Sequence, residues 1–198
     1  MKYERPKQLS DPYSDFDNEE DQEELRRILT VKDEDMGFKE FACIFQGVIP
    51  AGTYEECAYF VPVFLRFFRN NRDTVAAEKC ELISALDYMM EWSNCYYCDL
   101  KRDGFWRRII YAMESTFSYL TREHIDEPDG YPAGAGTVFE LLYCAATLKH
   151  FYFLMKRFQN ELLNRQDEAG KKWVATIKRS HLWYDQDRSP IKIPIRKS

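Results

Sequence analysis

The pattern with the plainest chemical potential is Cys95-Tyr96-Tyr97-Cys98, a CxxC pair. Two thiols at that spacing can cycle through a disulfide or supply half of a tetrahedral zinc site. Zinc needs about four ligands, and the chain offers no second CxxC and no H-x3-5-H pair. A thioredoxin-like role needs a strand leading into the motif, whereas the residues before Cys95 have helical spacing. The pair therefore reads as structural cysteines at a helix end. The histidines are His124, His150 and His181. None forms H-E-x-x-H, and none lies three residues after a glutamate as helical di-iron ligands do. His150 is expected in the middle of a helix. His124 borders a loop and is the histidine best placed for a functional role. Neither a G-x-S-x-G elbow nor a P-loop nor G-x-G-x-x-G occurs. Gly134-Ala135-Gly136 precedes an expected helix start, but Glu140 in the first turn would oppose a bound phosphate. The expectation is no catalytic residue, no metal and no cofactor.

Other polar and aromatic groups have structural explanations. Glu56 and Glu140 each end a Thr-x-x-Glu capping box, beginning at Thr53 and Thr137, in which the side chains reciprocally satisfy main-chain N–H groups. The preceding residues match too: Ala51-Gly52-Thr53-x-x-Glu56 and Ala135-Gly136-Thr137-x-x-Glu140. Recurrence of one solution to helix starting explains this echo better than a duplicated fold. Trp92, Tyr96, Tyr97 and Trp106 form a cluster that reads as core. Arg66, Arg69, Arg72, Arg102, Arg107 and Arg108 read as solvated helix faces.

The elements behind these residues are helical. Apolar side chains recur at three- and four-residue steps: Leu25, Ile28 and Leu29; Phe38, Phe41, Phe45 and Val48; Cys57, Phe60, Val61, Phe64, Leu65 and Phe68 around Pro62. Leu82, Leu86, Met89 and Ser93 extend the pattern to about Cys98, and Asp99 to Gly104 is a polar break. A helix through Trp106, Ile110, Met113, Phe117 and Leu120 follows. The Pro- and Gly-rich segment from Asp126 to Gly136 must be a loop. Leu141, Ala145, Leu148, Tyr152, Met155, Phe158 and Leu162 then predict one helix of about 25 residues. Residues 171–184 fit helix or strand. The result is an all-α domain of about six helices, bundle-like and kinked at Pro62. Its expected limits are residues 18–184, after an acidic, poorly ordered lead of residues 1–17 and before an extended basic tail of residues 185–198.

Charge is unevenly spread over the 198 residues, whose formal net charge is −5. Residues 11–35 hold eleven acids and three bases, a balance of −8, whereas residues 170–198 balance at +6. An acidic front disfavours nucleic acid and anionic membrane and favours a basic protein partner. Neither a run of roughly 18 apolar residues nor a signal-peptide pattern occurs, so cytoplasmic residence is expected. The six cysteines are then reduced.

Gly47-Val48-Ile49-Pro50-Ala51-Gly52-Thr53-Tyr54-Glu55-Glu56, followed by Tyr59-Phe60-Val61-Pro62, resembles helical immunity proteins of bacterial toxin systems. Leu100-Lys101-Arg102-Asp103-Gly104 after a long helix adds to the likeness. The resemblance implies a non-catalytic chain that binds and neutralises a basic toxin. A helical adaptor subunit and an enzyme with an unfamiliar site near His124 are the alternatives. The expected capture surface is Asp15, Asp17, Glu19, Glu20, Asp21, Glu23 and Glu24, with Tyr131 of the 126–136 loop and His124 at its edge as an anchor.

Overall fold

A computed structural model describes residues 3–10, 19–46, 51–71, 80–123 and 135–179. Among them every regular element is a helix, and there are nine: α1 (Glu19–Thr30), α2 (Phe38–Phe45), α3 (Tyr54–Asn70), α4 (Cys80–Cys95), α5 (Tyr97–Arg102), α6 (Phe105–Leu120), α7 (Ala135–Thr147), α8 (Tyr152–Asn164) and α9 (Glu168–Arg179). The all-α expectation holds and six helices is an undercount. The limits at residues 17 and 185, the loop centred on Tyr131 and the tail lie outside the described residues.

Three local corrections account for the extra helices. First, the polar stretch after Cys98 is itself helical. Lys101 and Arg102 form the last turn of α5, and the break is confined to Asp103-Gly104. Gly104 adopts φ +77°, and its N–H bonds to the Lys101 carbonyl at 3.2 Å. Glycine reaches that left-handed conformation without a Cβ clash and so ends a helix sharply. Second, the expected 25-residue helix is split at Leu148–Phe151 into α7 and α8, which pack on each other. Apolar spacing runs through the split because Phe151, in the connection, is itself fully buried. Periodicity reports burial and cannot see a helix break that preserves it. Third, residues 168–179 are helix, with Gly170, Trp173, Thr176 and Ile177 buried at helical spacing.

A fourth correction concerns Thr137. Helix α7 begins at Ala135, so Thr137 is its third residue and buried, not its cap, and Glu140 is exposed. The box at Thr53 is present. Thr53 is extended (φ −63°, ψ 167°), and the Glu56 Oε2 accepts its N–H at 2.9 Å. Helix α3 continues through Pro62, which lacks the N–H that would pair with the Ala58 carbonyl.

The chain folds as two compact units. The first comprises Met1–Asn71 and Cys80–Ile109. Here α2 packs mainly on α4 and also on α3. Its centre is aromatic: Phe41, Phe45, Phe60, Phe64, Phe68 and Trp92 are almost wholly buried. Phe41 meets Phe64 edge-on at 5.1 Å, and Tyr54 stacks on Trp92 at 5.8 Å and 7°. Burying each such ring is worth about 1.5–3 kcal/mol before entropy is counted.

The second unit comprises Arg72–Lys79 and Ile110–Ser198. In it α8 packs on both α7 and α9. Phe117 and Phe158 meet at 4.5 Å. The Arg165 guanidinium donates to the Thr121 carbonyl at 2.6 Å and the Arg122 carbonyl at 3.2 Å. These groups follow the last residue of α6, where a cation also suits the negative end of the helix dipole. The Trp173 indole N–H donates to the Glu123 carbonyl at 2.7 Å.

Candidate functional site

The acidic face of α1 arises from its two-sided pattern. Leu25 and Ile28 are buried and fix the helix, which turns Glu19, Glu23 and Arg26 outward. Acids in the first turns also suit the positive end of the helix dipole. Glu19, Glu23, Glu24 and Arg27 line an open recess of about 440 Å³.

Much of this acidity is already paired. Glu23 bonds to Arg26 at 3.1 Å, and Glu24 to Arg27 at 2.8 Å and to Lys39 at 3.5 Å. Arg27 also reaches Glu40 at 2.8 Å. Hydrogen bonding from Arg27 chiefly holds the Glu24 carboxyl down to about 2, against partial burial, and the Arg27 and Lys39 charges assist. Burial would raise the Glu40 carboxyl, but the Arg27 bond and the Gly37 N–H outweigh it. The latter donates to Glu40 Oε2 at 2.9 Å, so α2 also begins on a glutamate reaching back three residues.

Of the residues expected to capture a partner, the structure brings Glu19, Glu23 and Glu24 together around the recess. Glu20 and Asp21 belong to α1, but their side chains lie outside the described part. Asp15, Asp17, His124 and Tyr131 lie outside the described residues altogether.

A second polar cluster had no sequence signal. Asp103, at the end of α5, has a side chain with no exposed area. Its Oδ2 accepts hydrogen bonds from the hydroxyls of Tyr3 and, at 2.9 Å, Tyr54, while Arg102 Nε lies 3.3 Å from its Oδ1. Burial, the Asp103 bond and the Asp103 charge raise the Tyr54 hydroxyl far above its ordinary value. Tyr3, Tyr54 and Asp103 are remote in sequence, so spacing could not have paired them.

The remaining candidates are placed plainly. Cys95 and Cys98 are exposed free thiols at the α4–α5 junction. Desolvation and the Glu91 carboxylate hold the Cys95 thiol above its ordinary value, which opposes thiolate formation. Cys57 is buried, its thiol pushed well up by desolvation, and it donates weakly to the Gly52 carbonyl at 3.5 Å. His150 lies in the α7–α8 connection and is not mid-helix; burial, then Lys149, lowers its pKa. Trp92 and Tyr96 pack at 5.3 Å and Tyr97 meets Trp106 edge-on at 4.8 Å, in line with the core reading. The Trp92 indole N–H is buried without a hydrogen-bond partner among the described residues.

Sequence reading missed the exposed large side chains of the second unit, Tyr111, Tyr143, Phe153 and Leu163. Tyr143 could have been found: Gly136, Glu140, Tyr143 and Thr147 form the exposed stripe of α7, opposite Leu141 and Ala145. No described helix is long and apolar enough to cross a membrane. Comparison with known proteins finds no family model, no curated protein and no solved structure that matches this chain.

Proposed function

We propose that this chain is a non-catalytic protein-binding domain, and that it acts as an immunity protein by binding and neutralising a basic toxin. The observation that carries the reading is the α1 recess, where Glu19, Glu23 and Glu24 converge on the surface. A lysine or arginine from a partner entering there would meet carboxylates already ordered by Arg26, Arg27 and Lys39. Such charges chiefly raise the association rate, and salt screens them. Affinity needs a buried anchor as well.

The test begins with affinity capture of partners from the native host. The expected partner is a basic protein at one-to-one stoichiometry whose toxic activity is abolished by the purified chain. A partner that stays fully active in the complex overturns the neutralising role. Changing Asp15, Asp17, Glu19, Glu20, Asp21, Glu23 and Glu24 to Asn or Gln should then slow association at low salt. An unchanged rate and salt dependence removes the acidic segment from the interface.

The adaptor reading is favoured by a different observation, the exposed Tyr111, Tyr143 and Phe153 of the second unit. Large exposed aromatics serve as anchors in protein interfaces. Recovery in a larger assembly, lost when Tyr143 and Phe153 become Ser, would favour it.

A further inference from the structure

Residues 3–10 meet the first unit through three donor-bearing residues, each of which reaches a carboxylate. The Tyr3 hydroxyl donates to Asp103. The Arg5 guanidinium donates to Asp33 at 2.7 Å and to the Val31 carbonyl, and lies 5.9 Å from the Phe60 ring centroid. The Ser10 N–H and hydroxyl donate to the two oxygens of Glu56 at 3.0 and 2.9 Å. Between these stations Leu9 is buried, and its Cδ2 lies 3.2 Å from where a Cβ on Gly52 would stand. Glu4, Lys7 and Gln8 point to solvent. No pair of main-chain groups figures among these anchors, so the segment is held by separate side-chain stations and not by a sheet ladder.

The receiving carboxylates are also held independently of the segment. Asp33 accepts from the Tyr59 hydroxyl at 2.7 Å, Glu56 from the Thr53 N–H at 2.9 Å, and Asp103 from the Tyr54 hydroxyl at 2.9 Å. Each sits on a different element: the α1–α2 connection, α3, and the α5–α6 turn. The seat is therefore ordered by its own unit, as a preorganised binding surface is.

We propose that residues 3–10 are a detachable strap, occupying in cis a peptide-recognition seat built from Asp33, Glu56, Asp103, Phe60 and Gly52. The seat's ligand is an extended segment carrying a tyrosine, an arginine two residues later, and a leucine-serine pair beyond. A peptide of that kind in trans should exchange with the strap. Its apparent affinity is reduced by the fraction of time the strap is seated. The exchange involves neither the α1 recess nor a toxin, so it stands or falls apart from the immunity reading.

The experiment uses the full chain and a synthetic peptide of residues 3–10 carrying Lys7→Arg, which a lysine-specific protease cannot cut. Cleavage of the intact protein after Lys7 should accelerate several-fold as the peptide saturates. The same peptide with Arg5→Ala should give no acceleration. In a second arm, the full-chain variant Tyr3→Phe/Arg5→Ala should bind the fluorescent peptide about ten-fold more tightly than the unaltered chain does, because the competing strap is weakened. Cleavage that is unchanged at millimolar peptide, or equal acceleration by both peptides, overturns the proposal. So does equal affinity in a folded variant. The cleavage arm needs no variant protein, so a variant that fails to fold does not shelter the idea.

Discussion

The six-residue pattern Ala-Gly-Thr-x-x-Glu occurs at residues 51–56 and again at 135–140, with two different structural fates. In the first, Thr53 is an extended cap and Glu56 closes on its N–H. In the second, the helix has begun two residues before Thr137, which is buried, while Glu140 faces solvent. The surroundings separate them. The Ala51 N–H is fixed by the Ile44 carbonyl at 3.2 Å, just ahead of Thr53, and Ser10 supplies two further donors to Glu56. A capping box is thus a local option that neighbouring contacts select. Helix α2 makes the same point from the other side: Glu40 reaches back to Gly37, which has no hydroxyl to complete a box.

The largest contrast should come from the glycines. At Gly52 an added Cβ would stand 2.7 Å from Glu56 Oε2 and 3.2 Å from both Glu56 Cβ and Leu9 Cδ2. The Glu56 carboxylate cannot retreat without losing its three donors, so Gly52→Ala should cost about 1–3 kcal/mol. Gly136 has open space around it within a helix, and Gly136→Ala should be stabilising by about 0.5 kcal/mol. Denaturant unfolding of both variants checks the pair; similar losses at the two sites would erase the distinction.

Next come the glutamates. Glu56→Gln leaves one acceptor oxygen where two were used and should cost about 1–2 kcal/mol. Glu140→Gln, on an exposed face, should stay within about 0.5 kcal/mol. An equal cost at both positions, read by thermal melting, would restore a box at Thr137. Thr53→Ala should cost less than Glu56→Gln, about 1 kcal/mol or below. Its Oγ1 accepts the Glu56 N–H only at 3.5 Å, the weaker half of the box. A loss larger than that of Glu56→Gln would invert this ranking.

The smallest effect is acid sensitivity on α1. Glu24 titrates in the folded chain at about 2, below its unfolded value of about 4.3. A depressed carboxyl stabilises the fold above its unfolded pKa, and that contribution fades as pH falls from about 4.3 toward 2. Exposure and salt keep it small. Carboxyl-resolved NMR should find the Glu24 midpoint near 2, moving upward in Arg27→Gln. A midpoint unmoved by that change would assign the shift elsewhere.

Much of the architecture was legible in the residues. Three- and four-residue spacing placed the apolar faces of α1, α2, α3 and α6, and the choice between helix and strand left open after residue 171 went to helix as far as Arg179, with Trp173 and Ile177 buried together. What spacing could not mark was where a buried face changes direction, as at Leu148–Phe151. For the candidate site, the acidic face of α1 was visible as charge, but its neutralisation by Lys39 and the linkage of Arg27 to Glu40 were not. Among the exposed aromatics only Tyr143 had a signal, its place on the polar stripe of α7; composition counts a phenylalanine such as Phe153 the same way inside or out.

By itself the sequence determined what local physics determines. It set the helical class, a chain break ending at Gly104 and the acidic character of residues 11–35. These depend on groups within a few residues of one another, where the chain's own geometry fixes the partners. Only the tertiary structure decided that Tyr3, Tyr54 and Asp103 share one buried carboxylate, that Ser10 joins Glu56, and that Thr137 is core where Thr53 is a cap. The first two of these outcomes hang on hydrogen bonds between residues 46 to 100 positions apart. A buried polar atom takes whichever partner packing brings to it, and its own neighbours in sequence carry no record of that choice.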